Sequence, residues 1–279
     1  MKKTLFTTAV MFCSIVLCAE SISLPLEKLS LKPLTGHTQA TVTAKDGIIS
    51  MSGPIRLESK EKFTIDPAKK YRISFQARAV KGSPKATLSV GFIPLSNKNR
   101  EICGMNVCCN PKTTGTLVAD LKKGDKTLQI KPDEGSTGWN VKGDWYLAAV
   151  NVKKDGSDLP AYQLIRGIVK NEVKDGILTI TVSTPSRYAA KAGTAVRIHR
   201  GGGDFMYTAS RANKFTEEWT PFIGTVTGVM ESSDRTGFTG WSYNAWPKQA
   251  VSCRILVLGN WVNDNAKVEI RDLKLDILD

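Results

Sequence analysis

Tyr71-Arg72-Ile73-Ser74-Phe75-Gln76-Ala77-Arg78-Ala79 alternates without a break. Ile73, Phe75, Ala77 and Ala79 fall on one side, and Ser74, Gln76 and Arg78 on the other. A two-residue period describes a strand with one face on a core and one face in water. Working outward, Thr87 to Ile93 repeats the pattern through Leu88, Val90 and Phe92. Val251 to Leu258 is an almost unbroken apolar run, interrupted by Ser252 and Arg254. Lys267 to Ile277 alternates through Val268, Ile270, Leu273, Leu275 and Ile277, with a one-residue slip near Arg271-Asp272 that predicts a β-bulge. Asp46-Gly47, Asp155-Gly156 and Asp175-Gly176 are hairpin signals. No helical period is sustained over three turns. An all-β sandwich follows.

The well-patterned strands lie in two separated stretches, residues 20–106 and 209–279, and neither supplies enough strands for a sandwich alone. Residues 107–208 differ in texture, with shorter strands, Gly-Asp turns and Lys-rich loops. This predicts a discontinuous sandwich carrying an inserted, smaller β-rich subdomain, because a loop whose ends lie close together tolerates insertion.

Residues 1–19 read as a secretory signal, with Lys2-Lys3 ahead of a short apolar stretch from Leu5 to Leu17 and cleavage after Ala19. The expected location is secreted, periplasmic or at the cell surface. Ile15-Val16-Leu17-Cys18 approaches a lipobox, with Leu17 where Gly, Ala or Ser is wanted, so lipid anchoring at Cys18 is the alternative to removal. No later apolar run reaches the length of a spanning helix. Across 279 residues, 41% hydrophobic and 23% charged residues exclude wholesale disorder. Cleavage leaves 37 basic against 26 acidic residues. That excess favours anionic surroundings such as acidic polysaccharide. The basic residues are scattered in runs of at most two, which argues against nucleic acid.

Four cysteines remain after cleavage: Cys103, Cys108, Cys109 and Cys253. In an oxidising compartment they are disulfide candidates, with three connectivities open. Cys108 and Cys109 are too close in sequence to pair with each other, so one of them is expected to bridge Cys103, with Cys253 the alternative partner. No C-x-x-C pair and no neighbouring His supports a metal site.

Residues 42–80 run through Val42-Thr-Ala-Lys-Asp-Gly-Ile-Ile-Ser-Met-Ser-Gly53, Ile55-Arg-Leu-Glu-Ser59, Phe63-Thr-Ile-Asp-Pro67 and the alternating strand quoted above. Glu218-Trp219-Thr220-Pro221-Phe222, Ala250 to Leu258 and Val268 to Leu275 close the chain. This order resembles the jelly-roll carbohydrate-binding modules attached to bacterial secreted glycoside hydrolases, over about 150 residues in two pieces. The middle stretch is similar to β modules of bacterial and viral surface proteins, through Gly124 to Ile130 and Ala192 to Val196. The resemblance implies a non-catalytic sugar-binding jelly roll, often with one structural calcium, for which Asp272 is a candidate ligand. No other cofactor is implied. The chain departs from the family in its large insertion and in carrying no attached enzyme.

Sugar rings present flat C–H faces that stack on aromatic side chains, while amides and guanidinium groups bond the hydroxyls. Gly240-Trp241-Ser242-Tyr243-Asn244-Ala245-Trp246-Pro247 places three aromatics within six residues of a Gly/Pro/Asn loop. Trp241, Tyr243 and Trp246 are therefore the candidate stacking rings; packing against the sandwich end or the insertion is the alternative. Gln76, Arg78 and Arg254, opposite the apolar set of their strands, are candidate hydroxyl partners on a binding sheet. Trp219 is expected to anchor the core, and Trp261, between Asn260 and Asn263, fits either role. No G-x-S-x-G, H-E-x-x-H or P-loop occurs. His37 and His199 lack visible partners, and adjacent Glu217-Glu218 would point to opposite faces of a strand, unlike a glycosidase pair. The expected function is non-catalytic recognition of a polysaccharide or glycoconjugate. A structural or adhesive envelope role is the alternative, followed by a polysaccharide-cleaving enzyme.

Overall fold

The computed structural model describes residues 20–32, 34, 40–83, 85–212, 215–230, 241–261 and 263–279. Residues 1–19, including Cys18, as well as His37 and Gly240, lie outside these residues. The N-terminal stretch supplies β1 (Glu20–Ser23), β2 (Leu29–Lys32), β3 (Thr41–Lys45), β4 (Ile48–Ser52), β5 (Ile55–Ser59), β6 (Phe63–Thr64), β7 (Lys70–Ala79) and β8 (Leu88–Ser96). A one-turn helix, α1 (Gly104–Val107), precedes β9 (Cys109–Leu117), β10 (Thr127–Pro132), β11 (Gly143–Val150), β12 (Leu164–Lys174), β13 (Ile177–Val182) and β14 (Ala195–Arg200). The chain closes with β15 (Met206–Ala212), β16 (Thr220–Val226), β17 (Ala250–Gly259) and β18 (Lys267–Leu278).

Two antiparallel sheets form an all-β sandwich. The first has the order β16-β7-β18-β4-β3 with β1 added on β18; the second has β15-β8-β17-β5-β2 with β6 added on β17. Early and late strands interleave, since β18 lies between β7 and β4, and β17 between β8 and β5. The alternation of β7 buries Tyr71, Ile73, Phe75 and Ala77 in the common core, against Val257, Ile255, Val268 and Leu275. The near-continuous apolar run of β17 has a physical cause near its middle, where both faces are covered. Cys253, Ile255 and Val257 face the sandwich core, whereas Leu256 joins Ile93, Leu95, Cys103 and Phe205 in a small cluster on the outer side. The slip near Arg271-Asp272 is a register shift in the β18–β7 pairing, with Asp272 at φ 55.

The six strands β10-β13-β12-β11-β14-β9 close into a barrel around their own core of Leu128, Ile130, Ile168, Ile180, Val196 and Ile198. Barrel strands run from Cys109 to Arg200, and β15 returns to the sandwich at Met206, just short of residue 208. The turns at Asp46-Gly47 and Asp175-Gly176 hold both residues at positive φ, as two-residue hairpins require, and join β3 to β4 and β12 to β13. Asp155-Gly156 does not close a hairpin; it lies in the long connection from β11 to β12. At Gly91 a Cβ would stand 1.7 Å from the Met206 carbonyl oxygen, so only glycine lets β15 approach β8 there.

The connections into and out of the barrel bind each other as a stalk. Gly104 and Met105 donate backbone N–H groups to the carbonyls of Asp204 and Gly202 at 3.1 and 3.2 Å, and Arg200 donates to Cys108 at 2.9 Å. Asn106 donates its side-chain amide to the Ala161 carbonyl at 2.9 Å, fastening the β11–β12 connection to α1. The disulfide expectation is corrected here: among the described residues no bridge joins Cys103, Cys108, Cys109 or Cys253. Cys253 and Cys108 belong to the sandwich core, Cys103 to the outer cluster and Cys109 to a patch with Leu159 and Ala161. Burial pushes the thiol of Cys103 up to about 11 and that of Cys108 up to about 12, and raises Cys253 as well. Protonated thiols are poor nucleophiles for exchange.

His199 is fully buried between barrel and stalk. Its Nδ1–H donates to the Met105 carbonyl at 2.8 Å, and its Nε2 accepts from Arg197 Nε at 2.9 Å. Burial, reinforced by the Arg197 charge, holds its pKa down at about 3. The unfolded chain protonates this residue near pH 6.5, so below that value the unfolded state binds the extra proton and stability falls as pH drops. Between about pH 6.5 and about pH 5 we expect a loss of about 2 kcal/mol in urea unfolding, which His199→Gln abolishes. An equal slope in both proteins would assign the loss to other groups.

Candidate functional site

The loop that carries three aromatics folds inward. Trp246 is 0% exposed, with its ring edge-on to Tyr71 and Phe92 at centroid distances of 5.2 and 5.0 Å. Trp241 is 9% exposed and donates its indole N–H to the Phe205 carbonyl at 3.2 Å. Both rings serve as packing groups, which corrects their assignment as stacking surfaces. Tyr243 is half-buried, stacked on Tyr207 at 6.2 Å and receiving a 2.8 Å hydrogen bond from Arg211.

The three polar candidates do not converge either. Gln76 and Arg78 lie on the outer face of the first sheet, where Gln76 pairs with Arg271 and Asp272, and Arg78 with Glu269 at 2.8 Å. The Trp219 ring stacks there with the guanidinium groups of Arg78 and Arg271, at 4.5 and 4.3 Å from its centroid, so it covers that face and does not anchor the core. Arg254 belongs to the second sheet and pairs with Glu58 at 3.3 Å. The bulge residue Asp272 has Gln76 and Arg271 as its neighbours, and the described residues contain no group of three His, Cys, Asp or Glu side chains suited to a metal. That donor set does not fit calcium.

A cleft of about 610 Å³ opens instead on the outer face of the second sheet, beside the stalk. Its floor is one cross-strand row. Arg56 on β5 stands opposite Leu258 on β17, Leu258 opposite Ser89 on β8, and Ser89 opposite Arg211 on β15. At the usual spacing of adjacent strands this row is about 14 Å wide. One wall is Asp204, Phe205 and Tyr207, where the stalk meets β15; across from it stand Thr87 and Trp261, and Arg166 reaches in from barrel strand β12.

Local structure sets Trp261 on the rim. Asn260 takes the left-handed conformation, φ 52, which asparagine tolerates. It is buried, donating its amide to the Met51 carbonyl at 3.1 Å and its backbone N–H to the Thr87 carbonyl at 2.8 Å. The chain turns there and leaves the Trp261 ring 50% exposed.

The electrostatics of the cleft are uneven. Arg56 is held by Glu58 at 2.7 Å and Glu101 at 3.0 Å, over the face of Phe205. Arg211 faces Asp204 at 3.6 Å. Arg166 is exposed, and the contact of its guanidinium is the Met105 thioether at 3.3 Å. Burial raises Tyr207 to about 12, so its phenol stays protonated at neutral pH. Asp204 is the one carboxylate among the described cleft-lining residues.

Of the residues that form this cleft, sequence reasoning singled out Trp261 alone, as one of two roles. Arg56 and Ser89 were detectable as polar positions in alternating strands; Arg166 and Arg211 gave no signal beyond their charge. No family model matches the chain, and neither a curated protein nor a solved structure matches it.

Proposed function

We propose that the protein is a secreted, non-catalytic carbohydrate-binding protein whose site is the cleft on the second sheet. The observation that carries this reading is the half-exposed Trp261 ring on the rim of a cleft floored by Arg56, Ser89 and Arg211. A flat ring beside fork-shaped donors suits the C–H face and the hydroxyls of a sugar. The passage of the chain from one sheet to the other supports a jelly-roll reading, in line with the resemblance to carbohydrate-binding modules. The N-terminal signal pattern supports export. A pair of carboxylates for hydrolysis is missing among the described cleft residues, which favours binding over cleavage.

Isothermal titration against a panel of soluble neutral and acidic oligosaccharides tests this. Trp261→Ala is expected to weaken binding of every ligand found by at least about tenfold, the effect of losing one stacking ring. Undiminished binding in that variant, or no sugar bound by the intact chain, contradicts the proposal.

A further inference from the structure

The cleft is built from both β bodies, and its two lips differ in chemistry. Trp261 offers an apolar ring from the sandwich. Arg166 offers a guanidinium from the barrel. Among the described residues, the other two arginines of the cleft already have carboxylate partners: Glu58 and Glu101 on Arg56, and Asp204 on Arg211. Arg166 instead rests on the sulfur of Met105, a weak acceptor that leaves most of its five donors to solvent. A planar fork in that state matches the two oxygens of a carboxylate or sulfate better than a single hydroxyl. Three arginines and one aspartate line the cleft, and Glu58, Glu101 and Asp204 pair with two of those arginines, leaving Arg166 as the cleft arginine with no carboxylate partner among the described residues. The charge of Arg166 and the overall basic excess of residues 20–279, 37 basic against 26 acidic, favour an anion there.

We infer that the ligand is an acidic glycan, whose anionic group is taken by Arg166 of the barrel while a neighbouring sugar face stacks on Trp261 of the sandwich. The inserted barrel is then part of the binding site and supplies its charge selectivity. This inference rests on the carbohydrate-binding reading given above, and it is tested separately from it.

The probes are oligogalacturonate, its fully methyl-esterified form and chondroitin sulfate, titrated into the full chain. The ester keeps the backbone and rings and removes the charge; chondroitin sulfate asks whether a sulfated sugar serves as well as a uronate. Oligogalacturonate, chondroitin sulfate or both are expected to bind at least about tenfold more tightly than the ester, with affinity falling as NaCl rises from about 50 mM to about 500 mM. Arg166→Ala should remove that preference without changing the melting temperature, since the side chain is exposed. Arg166→Lys should restore part of it, keeping the charge but not the fork. Equal, salt-insensitive binding of the charged and esterified forms, still dependent on Trp261, overturns the anionic inference and leaves the stacking site standing. Retention of the preference in Arg166→Ala overturns the role of the barrel. Failure of all three probes and of the neutral panel overturns this inference and the carbohydrate reading together.

Discussion

Replacing Trp246 by alanine is expected to lower the unfolding free energy by about 3–5 kcal/mol, the range for deleting a large aromatic from a packed core. The ring is wholly enclosed, and Tyr71 and Phe92 meet it edge-on from the two facing sheets. Little can collapse into its place, because both neighbours are held by their own strands, β7 and β8. Trp246→Phe should cost much less. The indole N–H of Trp246 has no hydrogen-bond partner among the described residues, and removing an unsatisfied buried donor offsets part of the lost packing. Urea unfolding followed by circular dichroism measures both variants. An alanine variant as stable as the parent would mean that the loop does not fold inward.

Arg197→Ala should produce a loss of similar size, about 3–5 kcal/mol, through electrostatics and hydrogen bonding. Arg197 is buried on β14. It pairs with both oxygens of Asp158 at 2.9 and 3.2 Å, and donates to the Lys153 carbonyl at 2.7 Å and to His199 Nε2 at 2.9 Å. Truncation removes the guanidinium from a carboxylate, a carbonyl and an imidazole nitrogen at once, leaving His199 Nε2 with only the weak Cys109 thiol contact at 3.8 Å, and it releases the β11–β12 connection from the barrel. Arg197→Lys keeps the charge but cannot span all three partners, so it should recover only a fraction. The barrel and sandwich cores are separate clusters. The Arg197 variant is therefore expected to move the barrel transition and the Trp246 variant the sandwich transition, with tryptophan-variant backgrounds distinguishing the two by fluorescence. A single cooperative shift common to both variants would show that the stalk couples the two bodies.

What was legible in the sequence follows from where the controlling physics is local. The alternation of Tyr71–Ala79 depends on nothing beyond the pleat, and the phase slip at Arg271-Asp272 announces its bulge within a few residues. The apolar run of Val251–Leu258 likewise marks a strand, whose outer face is covered at Leu256. The loop around Trp246 was misleading because aromatic density says nothing about which way a loop folds. Trp246 donates its backbone N–H to Gly228 and accepts one from Met230, and those contacts turn the ring under the sheet. The cleft is harder still. Arg56, Ser89, Arg211 and Leu258 become neighbours through the register of four strands, and Arg166 arrives from an inserted barrel. Their spacing along the chain carries no trace of this row. The cysteines misled for a related reason: a signal-like N-terminal pattern raises the expectation of disulfides but does not say where the fold puts each thiol, and even Cys108 and Cys253, buried in one core cluster, are unbridged.

The most direct measurement is a nuclear magnetic resonance titration of the tryptophan indole N–H signals with oligogalacturonate, the Trp261 signal being assigned through Trp261→Phe. The indole of Trp261 should shift progressively and saturate, while those of Trp241 and Trp246 stay in place. Movement of the Trp241 and Trp246 signals with Trp261 unchanged would put the sugar elsewhere on the molecule and contradict the cleft as the binding site.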